Sequence, residues 1–574
     1  MPTVARLTTL AVAAVVLAGC STLYDPPPAA SPVPASSSPA ASQAAGPGAA
    51  CTPATTPAAH DWNQRTWYEL FVRSFADGDG DGIGDFKGLT AKLDYLNDGD
   101  PSTTTDLGVG GLWLMPIAES PSYHGYDVTD YRRVEPDYGT RADLDAFLAA
   151  AHERGIKVIV DLVLNHTSSQ HSWFTDAGAD TGDPASYYLW SDSNPGWLGP
   201  GGQVAWHELD GRYYYGVFSD AMPDLNLRSA MVTAALEDVA RFWLADVGVD
   251  GFRLDAAKHL IEDGPDAQTN TPETHEWLAG FKASVDGVNP DAMLVGEVWD
   301  PASIAGGYVP DSLDLTFDFG LAGAYRTALQ TGRAAPIRTA LGDTAAAWPA
   351  NQSASFLTNH DQTRIMTELR GDPASVKLAA FLLLTGPGTP FVYYGEEIGM
   401  TGTKPDERIR TPMRWTADPA TAGFTTGTPW EALSDDDPAT INVEAQAADG
   451  DSLLATYEDL VRVRGQQQAL REGATTVLDS DAEPVIGWLR TTADATVLAL
   501  VNVSDQPVDA YTLSLADGPL CGAQAATLLG AVNGDPGTPL TPPDVNPAGG
   551  VDAWTPVAEL PPRSGFLVSL APAP

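Results

Sequence analysis

From Trp62 onward, short runs of consecutive apolar residues alternate with stretches in which apolar residues recur at helical spacing. Near-continuous apolar runs are typical of parallel strands that helices cover on the outside. Eight such runs occur, at residues 66–75, 108–117, 157–166, 249–258, 292–299, 314–319, 354–361 and 389–397. Helical stretches lie between them, for example at 143–155 and 229–248. Eight strand–helix repeats predict an α/β fold, a (β/α)8 TIM barrel.

Two regions depart from this repeat. Residues 167–222, between the third and fourth strands, are rich in Gly, Ser, Asp and aromatic residues and predict a small inserted domain. Residues 485–504 alternate and turn like antiparallel strands, so we expect a C-terminal antiparallel β-sandwich over 474–574. The barrel would then comprise residues 60–166 and 223–473.

The first 20 residues have the pattern of an export signal. Arg6 precedes an apolar run at 7–18, which is too short to span a hydrocarbon core of about 30 Å. The LAGC sequence at 17–20 resembles the bacterial lipobox, in which the cysteine is lipidated. We therefore expect an extracellular protein anchored to the bacterial cell membrane by lipid on Cys20. The alternative is an ordinary signal peptide with a chance cysteine.

The next segment has the composition of a tether. Residues 21–59 are dominated by Pro, Ala and Ser, cannot bury a core, and predict an extended linker. With Cys20 lipidated, Cys51 and Cys521 remain, and export permits a disulfide between them. The sequence leaves that pairing open.

Net charge restricts the partners. The chain has 75 acidic and 31 basic side chains, a formal charge of −44. Such a surface repels nucleic acid and anionic membranes but not a neutral sugar. We expect no nucleic-acid partner, membrane contact only through the anchor, and a monomer.

Polar residues end several of the predicted strands. Asp255 ends the fourth, Glu297 the fifth and Asp361 the seventh, and a TIM barrel carries its catalytic groups at these C-terminal ends. A single carboxylate there is usually solvated or capping, but three on one rim indicate an active site. Asp161, on the third strand, is expected to brace the strand end.

At these motifs the chain resembles the α-amylase family of retaining glycoside hydrolases, over residues 62–570. DLVLNH, GFRLDAAKH, EVWD and FLTNHD match the family's signature regions in order and spacing. YHGYDVTDY at 123–131 and GTPFVYYGEE at 388–397 match two further regions. The resemblance implies hydrolysis of α-glucosidic bonds in an α-glucan or malto-oligosaccharide substrate, with transglycosylation in some members.

The resemblance also implies roles for the three carboxylates. Asp255 matches the nucleophile, Glu297 the general acid/base, and Asp361 the carboxylate that binds sugar hydroxyls and favours an oxocarbenium-like transition state. Retaining hydrolysis needs the first two carboxyl groups about 5–5.5 Å apart. Arg253, two residues before Asp255 on the same strand, should keep Asp255 ionised, and Glu297 should have a raised pKa.

Other matches concern substrate binding. Tyr126 matches the aromatic platform under the sugar at the cleavage point, and His166 and His360 match hydrogen-bonding partners of that sugar. Lys258 and His259 match residues that line the leaving-group side.

An acidic loop, ADGDGDGIGDFKG at 76–88, follows the first strand. Crowded carboxylates repel one another unless a hard cation binds them, and oxygen ligands favour Ca²⁺. An EF-hand would need Glu at the twelfth position, where Gly88 stands. The loop resembles a structural calcium loop of oligo-1,6-glucosidases, which implies as ligands Asp77, Asp79, Asp81, the Ile83 carbonyl and Asp85. The alternative is an acidic turn without metal. Asn165 also matches a calcium ligand at the inserted domain of many α-amylases.

Specificity signals point in different directions. MPDLN at 222–226 looks intermediate between the MPKLN form of maltogenic-type enzymes and the QPDLN form of oligo-1,6-glucosidases. Asp127 and Arg410 match a charged pair that closes the pocket of exo-acting oligo-1,6-glucosidases, whereas Ala256 after the nucleophile resembles α-1,4-cutting enzymes. We expect an α-amylase of intermediate type. The alternatives are an exo-acting α-glucosidase or oligo-1,6-glucosidase, and a non-catalytic glucan-binding surface protein.

Overall fold

A computed structural model describes residues 54–178 and 186–573. Cys20, Cys51, the signal sequence and most of the predicted linker lie outside the described residues. Cys521 is disulfide-bonded, and its pairing with Cys51 stays a prediction. Within the described part of the chain, no helix has the length and apolar character needed to cross a membrane.

Eight parallel strands close into a barrel. In chain order they are β1 (Trp67–Leu70), β2 (Gly111–Leu114), β5 (Lys157–Leu162), β9 (Gly251–Leu254), β10 (Met293–Gly296), β11 (Leu315–Phe317), β12 (Ser353–Ser355) and β13 (Thr389–Tyr393). Hydrogen bonding follows the order β1-β13-β12-β11-β10-β9-β5-β2. The predicted fold class is thereby confirmed. The strands are shorter than the apolar runs, because the last residues of each run leave the sheet and form the rim.

Alternation along the strands separates two cores. Trp113 on β2 faces the barrel interior, where its ring centroid lies 5.4 Å from that of Phe317. Its neighbours Leu112 and Leu114 face outward into the larger core between strands and helices. Alternate side chains therefore fill the middle of the barrel with apolar groups.

The described helices surround this barrel and its rim. They are α1 (Val72–Phe75), α2 (Phe86–Ala91), α3 (Leu93–Leu96), α4 (Arg141–Glu153), α5 (Ser172–Gly178), α6 (Ala230–Arg241), α7 (Pro272–Val288), α8 (Ala302–Ala305), α9 (Phe319–Thr331), α10 (Ala335–Ala347), α11 (Ile365–Glu368), α12 (Pro373–Thr385), α13 (Asp406–Ile409), α14 (Val443–Ala447), α15 (Leu453–Gln466) and α16 (Gln468–Glu472). Helix α6 continues as a π-helical segment over Phe242–Val247 and ends at Gly248, whose φ of 93° suits glycine.

The segment between β5 and β9 carries its own small sheet. Strands β6 (Trp190–Ser191), β7 (Trp206–Leu209) and β8 (Arg212–Tyr215) pair in the order β6-β8-β7. Another two-stranded sheet, β3 (Ala118–Glu119) with β4 (Asp130–Val134), follows β2 on the same rim. Both sheets place loop residues beside the mouth of the barrel.

The C-terminal part is a seven-stranded antiparallel sheet. Its members are β14 (Ala474–Ser480), β15 (Val485–Thr491), β16 (Thr496–Asn502), β17 (Leu513–Asp517), β18 (Gln524–Val532), β19 (Gly549–Trp554) and β20 (Ser564–Pro572). The order is β18-β20-β16-β15-β14-β17-β19. One face joins the barrel core through Trp488, while Leu498 and Leu513 share a second core. The two ends of the sheet therefore pack face to face, like a sandwich.

Candidate active site

Strand register brings the predicted catalytic carboxylates together. Arg253 on β9 is aligned with Asp161 on β5. Gly296 on β10 is aligned with Leu254, so Asp255 and Glu297 leave adjacent strands at the same height. Because side chains alternate, this register aims all four at the mouth of the barrel.

The Arg253 guanidinium binds three carboxylates at once. Its Nη1 lies 2.7 Å from Asp255 Oδ1 and 2.9 Å from each Asp161 oxygen, and its Nη2 lies 2.6 Å from Glu297 Oε2. The Arg253 side chain is only 1% exposed, against 13% for Asp255 and 16% for Glu297. The cation is thus buried beneath two carboxylates that reach solvent. The Asp161 side chain is fully buried and contacts the guanidinium from within the barrel. The sequence predicts a bracing role for this residue.

Burial sets the protonation of this cluster. It raises the pKa of Glu297, with Arg253 opposing the shift and Asp255 adding to it. It also raises the pKa of Asp255 despite the Arg253 ion pair. The upward shift at Glu297 matches the sequence prediction. Arg253 opposes the rise at Asp255 and favours the ionised Asp255 carboxylate, as the sequence predicts, although desolvation is the larger of the two effects on the pKa.

Asp361, after β12, has the opposite electrostatic setting. Burial disfavours its charge, but His360 and then Arg410 hold the pKa of Asp361 well below its usual range. His360 Nε2 lies 3.2 Å from Asp361 Oδ2, and Arg410 Nη2 lies 2.8 Å from Asp361 Oδ1. Asp361 is therefore an ionised acceptor at neutral pH, and Glu297, whose pKa is raised, is the more readily protonated of the two carboxyl groups.

His360 is held as a cation by a residue that sequence reasoning missed. Its Nδ1 lies 2.5 Å from Glu69 Oε1, and its Nε2 lies 2.7 Å from the Tyr126 hydroxyl. Burial lowers the pKa of His360, but Asp361 and Glu69 together raise it to about 9. Glu69 is 2% exposed on β1. A lone glutamate inside the apolar run WYELF was the signal that could have identified it.

Tyr126 bridges the two halves of the cluster. Its hydroxyl donates to Asp161 Oδ2 at 3.1 Å, while its ring stacks on His360 with centroids 5.7 Å apart. The predicted platform residue therefore stands between the Arg253 group and the His360 group.

The predicted Asp127–Arg410 pair is absent from the described residues. Arg410 Nη2 instead contacts Asp406 at 3.1 Å in addition to Asp361, because Asp406 lies four residues earlier on the same helical turn. Asp127 Oδ1 accepts from the hydroxyls of Ser120, at 2.7 Å, and Ser122. Both members are buried in the site, but each is satisfied by other partners.

Two neutral histidines flank one phenylalanine on the opposite side of the mouth. The ring centroids of His166 and His259 each lie 5.3 Å from that of Phe218. Burial lowers the pKa of His166 to about 4 and that of His259 to about 3. Among the described residues, His166 Nε2 and His259 Nδ1 are buried without a hydrogen-bond partner. A ligand with hydroxyl groups would satisfy them.

Lys258 lies on the same side as His259. Its ammonium donates to the Trp299 carbonyl at 2.8 Å and to Asp300 at 3.0 Å. Asp300 also accepts from Asn270 Nδ2 at 3.1 Å. These contacts fix the loop that follows Glu297.

The acidic loop brings together three of its four predicted carboxylates. Asp77, Asp79 and Asp85 offer oxygen atoms that all lie within 4.8 Å of one another. Burial raises the pKa of Asp85, and the charges of Asp79 and Asp77 add to that shift. This crowding fits a hard cation. Asp81 stands outside the three-carboxylate cluster and accepts from the Ile83 N–H at 2.8 Å.

Asn165 follows β5 near the inserted sheet. Its Oδ1 is buried and has no hydrogen-bond partner in the described part of the chain. An unsatisfied amide oxygen is compatible with the predicted calcium contact there but does not define a ligand set.

Comparison with known families decides the assignment. A family model described as alpha amylase, catalytic domain, matches residues 69–473. The chain belongs to the α-amylase family of glycoside hydrolases. The predicted resemblance is confirmed, and this α-amylase-family chain is an enzyme rather than a non-catalytic glucan-binding protein.

Relatives in the α-amylase family differ in their named activities. The chain is 37% identical to alpha-amylase 3 of Dictyoglomus thermophilum, over 76% of this chain and 84% of that protein. It is 34% identical to a glucan 1,6-alpha-glucosidase of Streptococcus dysgalactiae subsp. equisimilis, over 78% and 91%. The crystal structure of an alpha-amylase from H. orenii superposes with a TM-score of 0.74 at 36% identity, covering 88% of this chain and 99% of that one. These similarities establish the family. They do not establish which glucosidic bond the enzyme cuts, because the relatives differ in their named activities.

Proposed function

We propose that the enzyme is an α-amylase that hydrolyses α-1,4-glucosidic bonds in starch, maltodextrins and related glucans with retention of configuration, accompanied by some transglycosylation. The observation that carries this proposal is the Arg253 guanidinium shared by Asp255 and Glu297. It holds a nucleophile and an acid side by side at the mouth of the barrel.

The reaction follows from their separate environments. Asp255 attacks the anomeric carbon while Glu297 gives its proton to the glycosidic oxygen, which leaves on the shortened chain. Glu297, now a carboxylate, takes a proton from water, and the water oxygen displaces Asp255 from the sugar. A raised pKa suits Glu297 for the first step. The 2.7 Å contact with Arg253 favours the ionised form of Asp255 that the attack requires.

The remaining side chains bind and orient the sugar. Asp361 accepts from sugar hydroxyls as a carboxylate, and its charge opposes the positive charge that develops on the ring. Tyr126 supplies a ring face at the cleavage point. His166 and His259 offer unsatisfied nitrogens to hydroxyls on either side of it.

The Arg410 contacts favour an α-amylase over an exo-acting enzyme. A pocket closed around the non-reducing end by Asp127 and Arg410 would need their ion pair, and Arg410 pairs instead with Asp361 and Asp406. The second candidate, an exo-acting α-glucosidase or oligo-1,6-glucosidase, is supported by the 34% identity to a glucan 1,6-alpha-glucosidase.

Product analysis distinguishes these two. Purified enzyme is incubated with amylose, pullulan and isomaltose, and early products are separated by chromatography. We expect mid-sized malto-oligosaccharides from amylose. Glucose as the sole early product, or preferential cleavage of isomaltose, would contradict the α-amylase proposal.

The acidic loop is proposed to hold a structural Ca²⁺. Asp77, Asp79 and Asp85 would bind it, and the ion would neutralise their mutual repulsion. Of the other predicted ligands, Asp81 would need to move to join them.

The proposed location is the outer face of the cell membrane, through lipid on Cys20. Mass spectrometry of the N-terminal peptide from the native host should show an acylated cysteine. A mature protein that begins at another residue would contradict the anchor.

A further inference from the structure

A continuous path of contacts joins the acidic loop to Asp361, and Trp430 lies at its centre. The main-chain N–H of Trp430 donates to the Gly82 carbonyl at 2.9 Å. Its indole Nε1–H donates to the Ser74 hydroxyl at 3.0 Å, and Ser74 donates to the Arg410 carbonyl at 2.5 Å. Arg410 in turn holds Asp361 through its guanidinium.

We propose that Trp430 is a positioning residue for the reaction. Through Ser74 it fixes the main chain of Arg410, and thereby the direction from which Arg410 approaches Asp361. The acidic loop acts on the reaction by the same path, because Gly82 holds the main chain of Trp430. The inference rests on the proposed function only where it takes Asp361 as a substrate-binding carboxylate.

The loop and the segment 424–430 fit together without spare room. Thr425 Oγ1 donates to Asp77 Oδ2, so one of the crowded carboxylates also holds this segment. A Cβ added at Gly82 would lie 1.9 Å from the Thr428 carbonyl oxygen, and Gly82 has φ 100°. A residue with a side chain therefore cannot replace Gly82 without moving the main chain at Thr428. A change in the loop must therefore displace the segment that carries Trp430.

The partly buried Trp430 ring contacts protein groups on several sides, which favours positioning over direct sugar stacking. Tyr123 stacks on it with centroids 5.4 Å apart, and Phe71 meets it edge-on at 6.0 Å. The Arg73 guanidinium lies 5.6 Å from its centroid. The Tyr123 ring centroid in turn lies 5.9 Å from Arg410 Cζ. Trp430 therefore also supports Arg410 through the Tyr123 ring.

Trp430→Phe tests the hydrogen-bonded path, because it keeps an aromatic ring and removes the Nε1–H donor. We expect kcat to fall about fivefold, the rate equivalent of one net hydrogen bond, with a smaller change in KM. The matched control is Trp415→Phe. Trp415 Nε1 donates to the Phe75 carbonyl at 2.8 Å, one residue from Ser74, and its bond does not lead to Arg410.

The control separates positioning from folding. Trp415→Phe should lower Tm comparably and leave kcat unchanged. Equal losses of kcat in the two variants, in proportion to their losses of Tm, would overturn the proposal. Ser74→Ala completes a double-mutant cycle with Trp430→Phe: the double variant should lose no more rate than the worse single variant, and additive losses would overturn the path through Ser74.

Asp77→Ala tests the link to the loop by two measurements, the first of which does not depend on activity. Hydrogen exchange of the Trp430 amide, measured by mass spectrometry on peptides spanning 424–430, should become faster in this variant. The Asp77→Ala substitution should also lower kcat in the wild-type background, and this loss of kcat should vanish in the Trp430→Phe background. Unchanged hydrogen exchange, or the same loss of kcat in both backgrounds, would overturn the link. All rates are ratios to wild type on one substrate, so a wrong glucan assignment would change the wild-type products but not these ratios.

Discussion

Buried arginines occur at both ends of the barrel, and their partners differ. At the mouth, Arg253 and Arg410 are bound by carboxylates. At the junction with the C-terminal sheet, Arg464 donates to the carbonyls of Leu384 and Gly388 at 2.9 and 2.8 Å, and Arg490 donates to the Gly473 carbonyl at 2.9 Å and to that of Gly386.

The difference separates chemistry from assembly. Carbonyl partners do not titrate, and burial lowers the pKa of Arg490 to about 10. Both arginines complete the hydrogen bonding of the chain that leaves α12, and Arg490, which lies on β15, also fastens the sheet to the barrel. The carboxylate partners of Arg253 and Arg410, in contrast, are titratable and charged groups at the mouth of the barrel, where they can contact a substrate. We therefore expect changes at the mouth to alter rate and changes at the junction to alter stability.

The largest effect is expected at the mouth. Glu297→Gln keeps the shape of the side chain but removes the proton donor, so kcat on starch should fall by about 10²–10⁴. Thermal unfolding monitored by circular dichroism should show little change in Tm. Starch hydrolysis at the wild-type rate would show that another group is the acid.

The next effect is a pH dependence of stability. His360 has a pKa raised from about 6.5 to about 9, so its contribution is fully present below pH 6.5 and is lost as pH rises through 9. The free energy of unfolding should fall by up to about 3 kcal/mol over this window. Urea titrations at several pH values measure it. His360→Asn should lack this component, and an identical pH slope in that variant would refute the assignment.

A smaller effect is expected at the junction. Arg490→Met leaves carbonyl oxygens unsatisfied and should lower the free energy of unfolding by about 1–3 kcal/mol. Its kcat should stay within about twofold of wild type. A fall in kcat as large as that of Glu297→Gln would contradict the view that the junction arginines serve stability and the mouth arginines serve the reaction.

The smallest effect concerns the acidic loop. Added Ca²⁺ should raise Tm by a few degrees, as linkage requires of an ion that binds the folded state, and chelation should reverse the rise. Differential scanning calorimetry of wild type and Asp79→Asn makes the comparison. Equal responses of the two proteins to Ca²⁺ would place the ion elsewhere.

The sequence was sufficient for the barrel because each strand is an apolar run and the polar residue after it marks the rim. The same rule predicts the rim positions of Asp255, Glu297 and Asp361, whereas their catalytic roles come from the family resemblance and stay proposals. Pairings between distant elements were less accessible. Glu69 is recognisable as a lone carboxylate in its apolar run, but its contact with His360 joins β1 to a loop after β12, and no local pattern identifies that partner. The motif match also did not indicate the observed partners of Asp127 and Arg410. Ser120 and Asp406 are closer in the chain and contact Asp127 Oδ1 and Arg410 Nη2, respectively.

Trapping the covalent intermediate tests the central claim most directly. Wild-type enzyme is treated with 5-fluoro-α-glucosyl fluoride, which slows hydrolysis of the intermediate more than its formation, and peptides are mapped by mass spectrometry. The account predicts a single glycosyl group on the peptide that contains Asp255, and none in Asp255→Asn. A label on another residue, or turnover with inversion at the anomeric carbon and no label, would contradict it.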